Sequence, residues 1–205
     1  MASSGIRDRF RAQMRQEVKE AALRQLAEGG PQALSLNAIA KELGVSGPAL
    51  YRYFDSRDAL LTELILDAYA DLTAAIAAVP RRQDDLAAAY RSWAIAQPHR
   101  YRLLFAAPLP GYDAHDPRLV SAAQQAMKVL LAAVGPGPEP EPALARQLAA
   151  HDGQADPAVV LRAITAWSRL HGLVSLEIEG NFRSMGLDPD LIFAAELRAL
   201  AAIDQ

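Results

Sequence analysis

Apolar residues recur every three or four positions along most of this 205-residue chain, which is the spacing of amphipathic helices. A first helix is predicted over about residues 8–28, after a flexible tip at residues 1–7, and the run Gly29-Gly30-Pro31 would end it. Its buried stripe takes one apolar residue every four positions: Phe10, Met14, Val18, Ala22 and Leu26. The chain shows no convincing strand pattern and no internal repeat, so the sequence predicts an all-α fold.

The next stretch, residues 35–54, reads S-L-N-A-I-A-K-E-L-G-V-S-G-P-A-L-Y-R-Y-F and predicts two short helices joined by a tight turn. Ser35 and Ser46 can each accept a hydrogen bond from an orphan backbone N–H and so begin a helix. Gly44 stands where the chain must pass through a left-handed conformation, and Pro48 falls in the first turn of the second helix. The apolar side chains of both helices would face inward: Leu36, Ile39, Ala40, Leu43, Leu50 and Phe54. This layout is a helix-turn-helix, whose second helix can enter the major groove of DNA.

A long fourth helix is predicted after this motif. Either Asp55 or Ser56 can cap its start, and Pro80 ends the segment. At roughly 24 residues it would span about 36 Å, which is long for a three-helix head. Its first part is expected to pack on the head and its last part on the remainder of the chain, as a mechanical link between two regions.

The remainder of the chain predicts a helical body, and three of its helices begin with the same device. The residue before a proline is held extended, which suits an N-cap, and the proline then takes the first helical position. The three pairs are Asp116-Pro117, Asp156-Pro157 and Asp188-Pro189, which place helices at about 117–134, 157–179 and 189–203. The other predicted elements are helices at 84–97, 99–106 and 143–151, a loop at 108–116, and an extended, mobile connector, G-P-G-P-E-P-E-P, at 135–142.

Helices 157–179 and 189–203 are apolar over an unusually wide arc. In the first, one row runs through Val160, Ile164, Trp167, His171, Val174 and Ile178, and a second through Ala163, Ala166, Leu170 and Leu173. Together they cover about half of the circumference, so this helix is expected to contact more than one surface. The last helix has rows Ile192, Ala195, Ala199, Ile203 and Phe193, Leu197, Leu200. Two such helices from each of two chains would form a four-helix dimer interface. The alternative is that they simply close the core of one chain.

Composition narrows the class further. Residues 1–60 carry nine Lys and Arg against seven Asp and Glu, whereas the remainder carries 12 basic and 17 acidic residues. A mildly basic head on an acidic body is typical of a protein that touches nucleic acid at one end. The chain has no cysteine, which excludes disulfides, thiolate catalysis and cysteine–zinc sites. The start of the chain lacks a signal-peptide pattern and no segment predicts a membrane span, so we expect a soluble, cytoplasmic protein.

The run I-A-K-E-L-G-V-S-G-P-A-L-Y-R-Y-F-D-S-R-D-A-L-L closely resembles the DNA-binding head of the tetracycline-repressor (TetR) family. The resemblance covers about residues 12–72, with the Gly44-Val45 turn, the Leu50-Tyr51 pair, Phe54 and a basic residue at position 57 in order. Residues 166–180, A-W-S-R-L-H-G-L-V-S-L-E-I-E-G, are similar to the Trp-His-Gly pattern of one C-terminal type in this family, and residues 97–105 also resemble that subgroup.

The resemblance implies a DNA-binding domain at 12–72 and a ligand-binding and dimerisation domain at 81–205. It also implies an all-helical homodimer of about nine helices that binds a palindromic operator. Most members act as repressors, and an effector in the body typically moves the fourth helix and releases the DNA.

Carried over by position, the resemblance also implies DNA-contacting residues. Tyr51 and Arg57 would bind phosphates, which set the register of the protein on DNA but read no sequence. Asn37 could pair with adenine, Ala49 could pack on a thymine methyl, and Arg52 could reach guanine or a phosphate. The full set is Asn37, Lys41, Ser46, Gly47, Pro48, Ala49, Tyr51, Arg52, Tyr53 and Arg57. At the N-terminus, Arg7, Arg9, Arg11 and Arg15 would form either an arm into a minor groove or a solvated terminus.

Five side chains of the body are candidates for an effector site: Tyr90, Trp93, Phe105, Trp167 and His171. Aromatic residues at helical spacing more often belong to a core, and a histidine on an apolar row needs a hydrogen-bond partner. A pocket lined in this way would suit an apolar or aromatic molecule of drug size. No cofactor is expected.

Other classes of function have weaker support. The four histidines, at 99, 115, 151 and 171, lie in separate segments, and the D-A-H-D run at 113–116 is explained by a loop beside a helix cap. The chain has no glycine-rich phosphate loop, nucleophile elbow or HExxH motif, so we predict no enzyme and no metal site. A helical interaction protein that does not bind DNA, and an activator or ligand-independent member of the same family, remain as alternatives.

Overall fold

A computed structural model describes residues 2–105, 112–151 and 155–201, with side chains from residue 5 onward except that of residue 151. Every regular element in these ranges is helical, as the sequence predicted. The eleven α-helices are α1 (Ala2–Gly29), α2 (Leu36–Glu42), α3 (Gly47–Tyr51), α4 (Arg57–Ala77), α5 (Gln83–Ala96), α6 (Pro98–Phe105), α7 (Pro117–Leu131), α8 (Pro142–His151), α9 (Pro157–Ile178), α10 (Asn181–Ser184) and α11 (Pro189–Ala201). A 3-10 turn at Pro31–Ala33 joins α1 to α2, and α10 is a short helix that the pattern did not predict.

The predicted caps define the helix starts. Ser35 accepts a hydrogen bond from the Ala38 backbone N–H at 3.3 Å, and Ser46 accepts one from Ala49 at 3.3 Å. Ser56, not Asp55, caps α4, through its bond from Ala59 at 3.0 Å. Each side-chain oxygen satisfies one of the orphan donors at a helix N-terminus.

The three Asp-Pro pairs behave in the predicted way. A carboxylate oxygen of Asp116, Asp156 and Asp188 accepts from the backbone N–H two residues later, at 2.8–2.9 Å. The helices α7, α9 and α11 then begin at the prolines. The predicted end of the last helix, residues 202 and 203, lies outside the described residues.

The chain divides into two compact units. Unit 1 comprises Met1–Ala70 and His99–Ala122, and unit 2 comprises Asp71–Pro98 and Ala123–Gln205. The core of unit 1 is built from α1, α2, α3 and α4, with Leu119 buried among them and Leu103, Leu104 and Tyr112 packed against it. Residues 99–122 therefore group with the N-terminal helices, although the predicted domains at 12–72 and 81–205 separate them.

The first helix differs from the prediction at its N-terminal end. Residues 2–7 continue α1 and do not form an irregular tip, since no proline or glycine pair interrupts them. Phe10 is 60 % exposed and Ile6 is 61 % exposed, so the predicted buried stripe begins only at Met14 and Val18. Helical periodicity continues along α1 past the point where the other helices of unit 1 can cover it.

Unit 2 is organised around α9, which contacts α5, α8, α10 and α11. All four residues of its second predicted row are buried: Ala163, Ala166, Leu170 and Leu173. Ala158, Val160 and Val174 of the same helix are buried as well. The opposite side of α9 exposes Thr165, Ser168 and Leu176. The connector lies on α9, since the Gly137 N–H donates to the Ala158 carbonyl at 3.4 Å.

Candidate nucleic-acid interface

The helix-turn-helix is held by α2, its turn and α3. Gly44 has a φ of 67°, in the left-handed region, and this lets the Val45 N–H donate back to the Ala40 carbonyl at 2.9 Å. The helix α3 has only five residues, too few to be stable alone. Its anchors are Leu50, which is fully buried, and Phe54, which is 2 % exposed, so the remaining positions of α3 are turned away from the core.

The ten predicted DNA-contacting residues all lie in unit 1, and most of them are accessible. The exposed members are Asn37, Lys41, Ser46, Pro48, Tyr51, Arg52 and Arg57. The tyrosine at 51 presents 44 % of its surface. Gly47, Ala49 and Tyr53 are half-buried, and Tyr53 packs against the core of unit 1.

Asn37 lies beside the start of α3. A Cβ added at Gly47 would meet the Asn37 Oδ1 at 3.3 Å, a close approach that only glycine makes comfortably. The absence of a side chain at Gly47 therefore lets the start of α3 lie close to Asn37 of α2.

Arg57 is the first residue of α4. Its Nε donates to Asp58 at 3.3 Å, and both side chains are more than 40 % exposed. An exposed pair of this kind is worth little, so the Arg57 guanidinium can exchange its carboxylate partner for a phosphate at small cost.

The Arg15 side chain does not belong to an N-terminal arm, because it packs within unit 1. Its Nη1 donates to the Tyr53 carbonyl, its Nη2 to Glu63 Oε2 at 3.1 Å, and its guanidinium carbon lies 4.4 Å from the centre of the Phe54 ring. The side chain is directed into the head because a carbonyl, a carboxylate and an aromatic face converge there. Arg7, Arg9 and Arg11 remain on the exposed first turns of α1.

Glu63 is shared by two cations. Lys19 Nζ lies 3.3 Å from Glu63 and 2.8 Å from Asp67, so Arg15 and Lys19 both join α1 to α4. Burial alone would raise the pKa of Glu63, but the hydrogen bond from Lys19 and the charges of Lys19 and Arg15 outweigh it and lower that pKa. Sequence reasoning missed this cluster; its signal was a spacing of four between Arg15 and Lys19 and between Glu63 and Asp67.

Among the effector candidates, three lie together in unit 2. The Tyr90 hydroxyl is 3.2 Å from His171 Nδ1, and the His171 ring stacks on Trp167 at 5.4 Å. Burial lowers the pKa of His171, so the neutral imidazole is favoured near pH 7. Tyr90 and Trp167 line a cavity of about 30 Å³ between α5, the end of α7 and α9. Its walls are almost entirely apolar, and its volume corresponds to one or two waters.

The other two effector candidates have different surroundings. Trp93 is buried, and its indole N–H donates to Asp71 at 3.0 Å. Phe105 belongs to unit 1, where its ring lies 5.0 Å from that of Tyr101. A second cavity in unit 2, of about 260 Å³, is lined by the connector at Pro138 and Glu139, by α9 at Leu161 and Arg162, and by Leu200.

The polar side chains of the D-A-H-D run, residues 113–116, make local hydrogen bonds and an ion pair. Asp113 accepts from the His115 backbone N–H at 2.9 Å, and Asp116 caps α7 and pairs with Arg118 at 2.7 Å. Within residues 2–105, 112–151 and 155–201, no group of three His, Asp or Glu side chains is arranged to hold a metal ion. The side chain of His151 lies outside the described part. No helix in the described ranges combines the length and apolar character that crossing a bilayer requires.

In unit 1, α2, the tight turn at Gly44 and the exposed positions of α3 form a helix-turn-helix, which is the motif of a class of DNA-binding proteins. Comparison with known families identifies which one. Residues 19–64 match the profile of bacterial regulatory proteins of the tetR family, and residues 84–200 match that of the tetracyclin repressor-like C-terminal domain. The Trp-His-Gly subgroup stays a prediction.

Relatives agree with this match along almost the whole chain. The HTH-type transcriptional regulator Rv1816 of Mycobacterium tuberculosis is 33% identical, over 97% of this chain and 95% of the relative. A second regulator of that organism, Rv0681, is 31% identical over 92% of this chain and 80% of its own length. The crystal structure of SCO4313, a protein described as regulatory, superimposes with a TM-score of 0.86 at 44% identity, covering 94% of this chain and 97% of the other.

The chain belongs to the TetR family of DNA-binding transcriptional regulators. Its relatives are regulators and not enzymes, which agrees with the sequence prediction.

Proposed function

We propose that this regulator is a repressor that binds a palindromic operator as a homodimer and leaves it when a small apolar or aromatic effector binds. The observation that carries the DNA part is the exposed surface of α2 and α3, with Asn37, Tyr51 and Arg52 directed away from a buried Leu50. Repression follows from occupancy, because a dimer seated on an operator excludes other proteins from that DNA.

Two kinds of contact are assigned. Tyr51 donates to a phosphate and Arg57 pairs with one, which together set the register of α3 in the groove. Asn37, Ala49 and Arg52 read base edges, with Gly47 and Pro48 allowing the close approach. Tyr53, which is half-buried, belongs to the same base-reading group, and the exposed Lys41 and Ser46 are proposed to contact the DNA beside it.

The homodimer is proposed to form through α9 and α11. One row of each helix is buried within unit 2, including Leu170 on α9 and Phe193 and Leu200 on α11. The other side of the pair is exposed in the single chain, with Leu176 at 46 % and Leu191 at 69 %. A Cβ added at Gly172 meets no atom within 4 Å, so a partner helix has room to approach closely. Four such helices would form one continuous interface.

The effector is proposed to enter unit 2 at the cavity lined by Tyr90 and Trp167, where Tyr90, whose hydroxyl bonds to His171 Nδ1, provides a polar group. The present cavity of about 30 Å³ is far smaller than the roughly 300 Å³ of an ordinary ligand pocket, so binding must open it. Molecules that open it would raise the melting temperature and release operator DNA. A thermal-shift screen tests this, and absence of any stabilising apolar molecule would contradict it.

Selection of bound DNA from random duplexes tests the main proposal. The expected product is a palindrome with half-sites separated by about 10 base pairs or a multiple of that distance. Enrichment of an asymmetric half-site would contradict the homodimer, and no enrichment would contradict sequence-specific regulation.

Two substitutions test the assigned phosphate contacts on the selected duplex. Tyr51→Phe and Arg57→Ala should each weaken binding about tenfold, because each removes a hydrogen bond to a charged group. The control is Arg81→Ala, which removes an exposed arginine from unit 2. Parent-like affinity of both variants in a gel-shift titration, with unchanged melting temperatures, would show that the assigned roles are wrong.

A further inference from the structure

The C-terminal end of α3 depends on a residue from outside the helix-turn-helix. At its N-terminal end, α3 is capped by Ser46, but after Tyr51 the chain leaves the helix with carbonyl groups that have no intrahelical partner. The Tyr53 carbonyl, two residues beyond the helix, accepts from the Arg15 guanidinium of α1. The guanidinium thus satisfies a backbone carbonyl of the segment by which the chain leaves α3.

Arg15 is itself fixed from two other directions. Its guanidinium covers the Phe54 ring at 4.4 Å, and its Nη2 donates to Glu63 of α4 at 3.1 Å. Glu63 is held in turn by Lys19 at 3.3 Å. The Arg15 side chain is 31 % exposed, so most of it is enclosed by these partners. One planar side chain thus joins α1, the end of α3 and the first half of α4.

We propose that Arg15 is a positioning residue for DNA reading: through the Tyr53 carbonyl, the Phe54 ring and Glu63 it sets the orientation of α3, and it does not bind DNA itself. The proposal rests on base reading by α3. Because α3 has five residues, small rotations of its C-terminal end move Tyr51 and Arg52 directly. Sequence discrimination needs those positions to be held closely, whereas attraction to the DNA backbone does not.

A phosphate contact by Arg15 is the competing explanation, and it predicts a different salt dependence. Loss of one phosphate contact weakens binding to all sequences about equally and lowers the slope of log affinity against log salt by about one. Loss of a positioning residue leaves that slope unchanged and lowers affinity for the operator more than affinity for random duplex. The two roles therefore separate in one titration series.

The experiment measures the affinity of the full-length protein for the selected duplex and for a random duplex over a range of salt concentrations. The variants are Arg15→Gln and Arg15→Lys, and the matched control is Arg24→Gln. Arg24 also lies on α1 and pairs with a carboxylate, Glu42, at 2.6 Å, but it does not touch the end of α3. Both glutamine variants remove one positive charge from the same helix.

We expect Arg15→Gln to lower the ratio of specific to non-specific affinity by roughly tenfold at an unchanged salt slope, while Arg24→Gln leaves the ratio within about twofold. Arg15→Lys keeps the charge but should not restore the ratio, since a single ammonium cannot reproduce the planar geometry in which the guanidinium holds the carbonyl and the carboxylate. A salt slope lower by one, a ratio unchanged in Arg15→Gln, or full recovery with lysine would each overturn the proposal.

Glu63→Gln provides a second variant if Arg15→Gln melts too low for binding assays. It leaves the bond from Arg15 to the Tyr53 carbonyl possible but removes the carboxylate anchor, so the ratio should fall by a smaller factor in the same direction. An unchanged ratio in a folded Glu63→Gln protein would also overturn the proposal. Equal affinity of the parent protein for both duplexes would instead contradict sequence-specific regulation, and the parent titration detects this before any variant is compared.

Discussion

Arg91 joins the two helices of the proposed dimer surface to α5. Its Nε and Nη2 donate to the two carboxylate oxygens of Glu177 on α9, both at 2.7 Å, and Nη2 also lies 2.6 Å from Asp190 on α11. Its guanidinium carbon lies 4.8 Å from the centre of the Phe193 ring. The side chains of Arg91 and Glu177 are 15% and 12% exposed, so this bidentate pair is largely withdrawn from water. The hydrogen bonds that Arg91 donates to Glu177 are the main reason that the pKa of Arg91 lies above its usual value.

Replacement of Arg91 by methionine should destabilise unit 2 by about 3 kcal/mol. Two charge-assisted bonds are lost and Glu177 keeps a largely buried charge, a combination that costs about 3–5 kcal/mol when the site is fully enclosed. We take the lower end of this range for the loss of stability because the side chains of Arg91 and Glu177 both keep some contact with water. Loss of the contact with Phe193 adds at most about 1 kcal/mol, and Asp190, which is 80% exposed, adds little.

Removal of both charges should recover most of this loss. In Arg91→Met with Glu177→Leu no charge is left buried, and the two apolar side chains fill a similar volume, so stability should return to within about 1 kcal/mol of the parent. The second substitution would then recover about 2 kcal/mol of the stability lost in Arg91→Met.

Urea unfolding followed by tryptophan fluorescence measures these differences. Both tryptophans of the chain, Trp93 and Trp167, lie in unit 2, so the signal reports the unit that contains the pair. Protein concentration must be held constant because assembly would stabilise the folded form. The control is Arg82→Met, whose partner Asp85 is 3.6 Å away and whose own side chain is 77% exposed; its stability should change by less than about 0.5 kcal/mol.

Two results would refute the reasoning. A loss below about 1 kcal/mol in Arg91→Met would mean that solvent screens the pair in spite of its burial. A double variant at least as unstable as Arg91→Met would mean that the unpaired carboxylate is not the source of the cost.

Two further predictions concern the assembly of the chain and its response to pH. Ala195→Arg, on the exposed side of α11, should convert the protein to a monomer in light scattering and abolish tight operator binding. Ala88→Arg, at a position of α5 that is also exposed, should leave the mass unchanged, and equal masses for both variants would contradict the proposed interface. Burial lowers the pKa of His171 in the folded chain, so the unfolded chain binds the proton first; the stability that depends on a neutral His171 is fully present above its ordinary pKa of about 6.5 and is lost as the pH falls through the lower, folded value. Melting temperatures between pH 8 and pH 5 should therefore fall less steeply in His171→Asn than in the parent, and parallel curves would contradict the assignment.

Local signals in the sequence were sufficient for the helices and their ends. The serine caps, the left-handed Gly44 and the three Asp-Pro pairs act through hydrogen bonds to backbone groups within a few residues, so their effect can be worked out without knowing the fold. The same holds for the helix-turn-helix at residues 35–54, in which Leu50 and Phe54 follow from spacing alone. For this reason the all-α class and the helix-turn-helix were predictable from the sequence.

The role of each long side chain depended on what the tertiary structure brought to it. Periodicity placed Phe10 in a buried stripe, but α1 extends beyond its neighbours and leaves that ring 60 % exposed. Arg15 and Lys19 both count toward the basic charge of residues 1–60, yet Glu63 and Asp67, nearly fifty residues away in sequence, pair with them within unit 1. The sequence singled out the aromatic residues of the body as candidates for an effector site. It did not predict that the cavity lined by Tyr90 and Trp167 has a volume of only about 30 Å³.

The sequence by itself thus determined the helices, their caps, the reading motif and the family. Only the tertiary structure decided which basic side chains are held in ion pairs, which apolar side chains stay exposed and how large the cavity in the core of unit 2 is. The physical reason is range: backbone capping and helical periodicity act over one or two turns, whereas ion pairing and packing depend on residues that folding alone brings together.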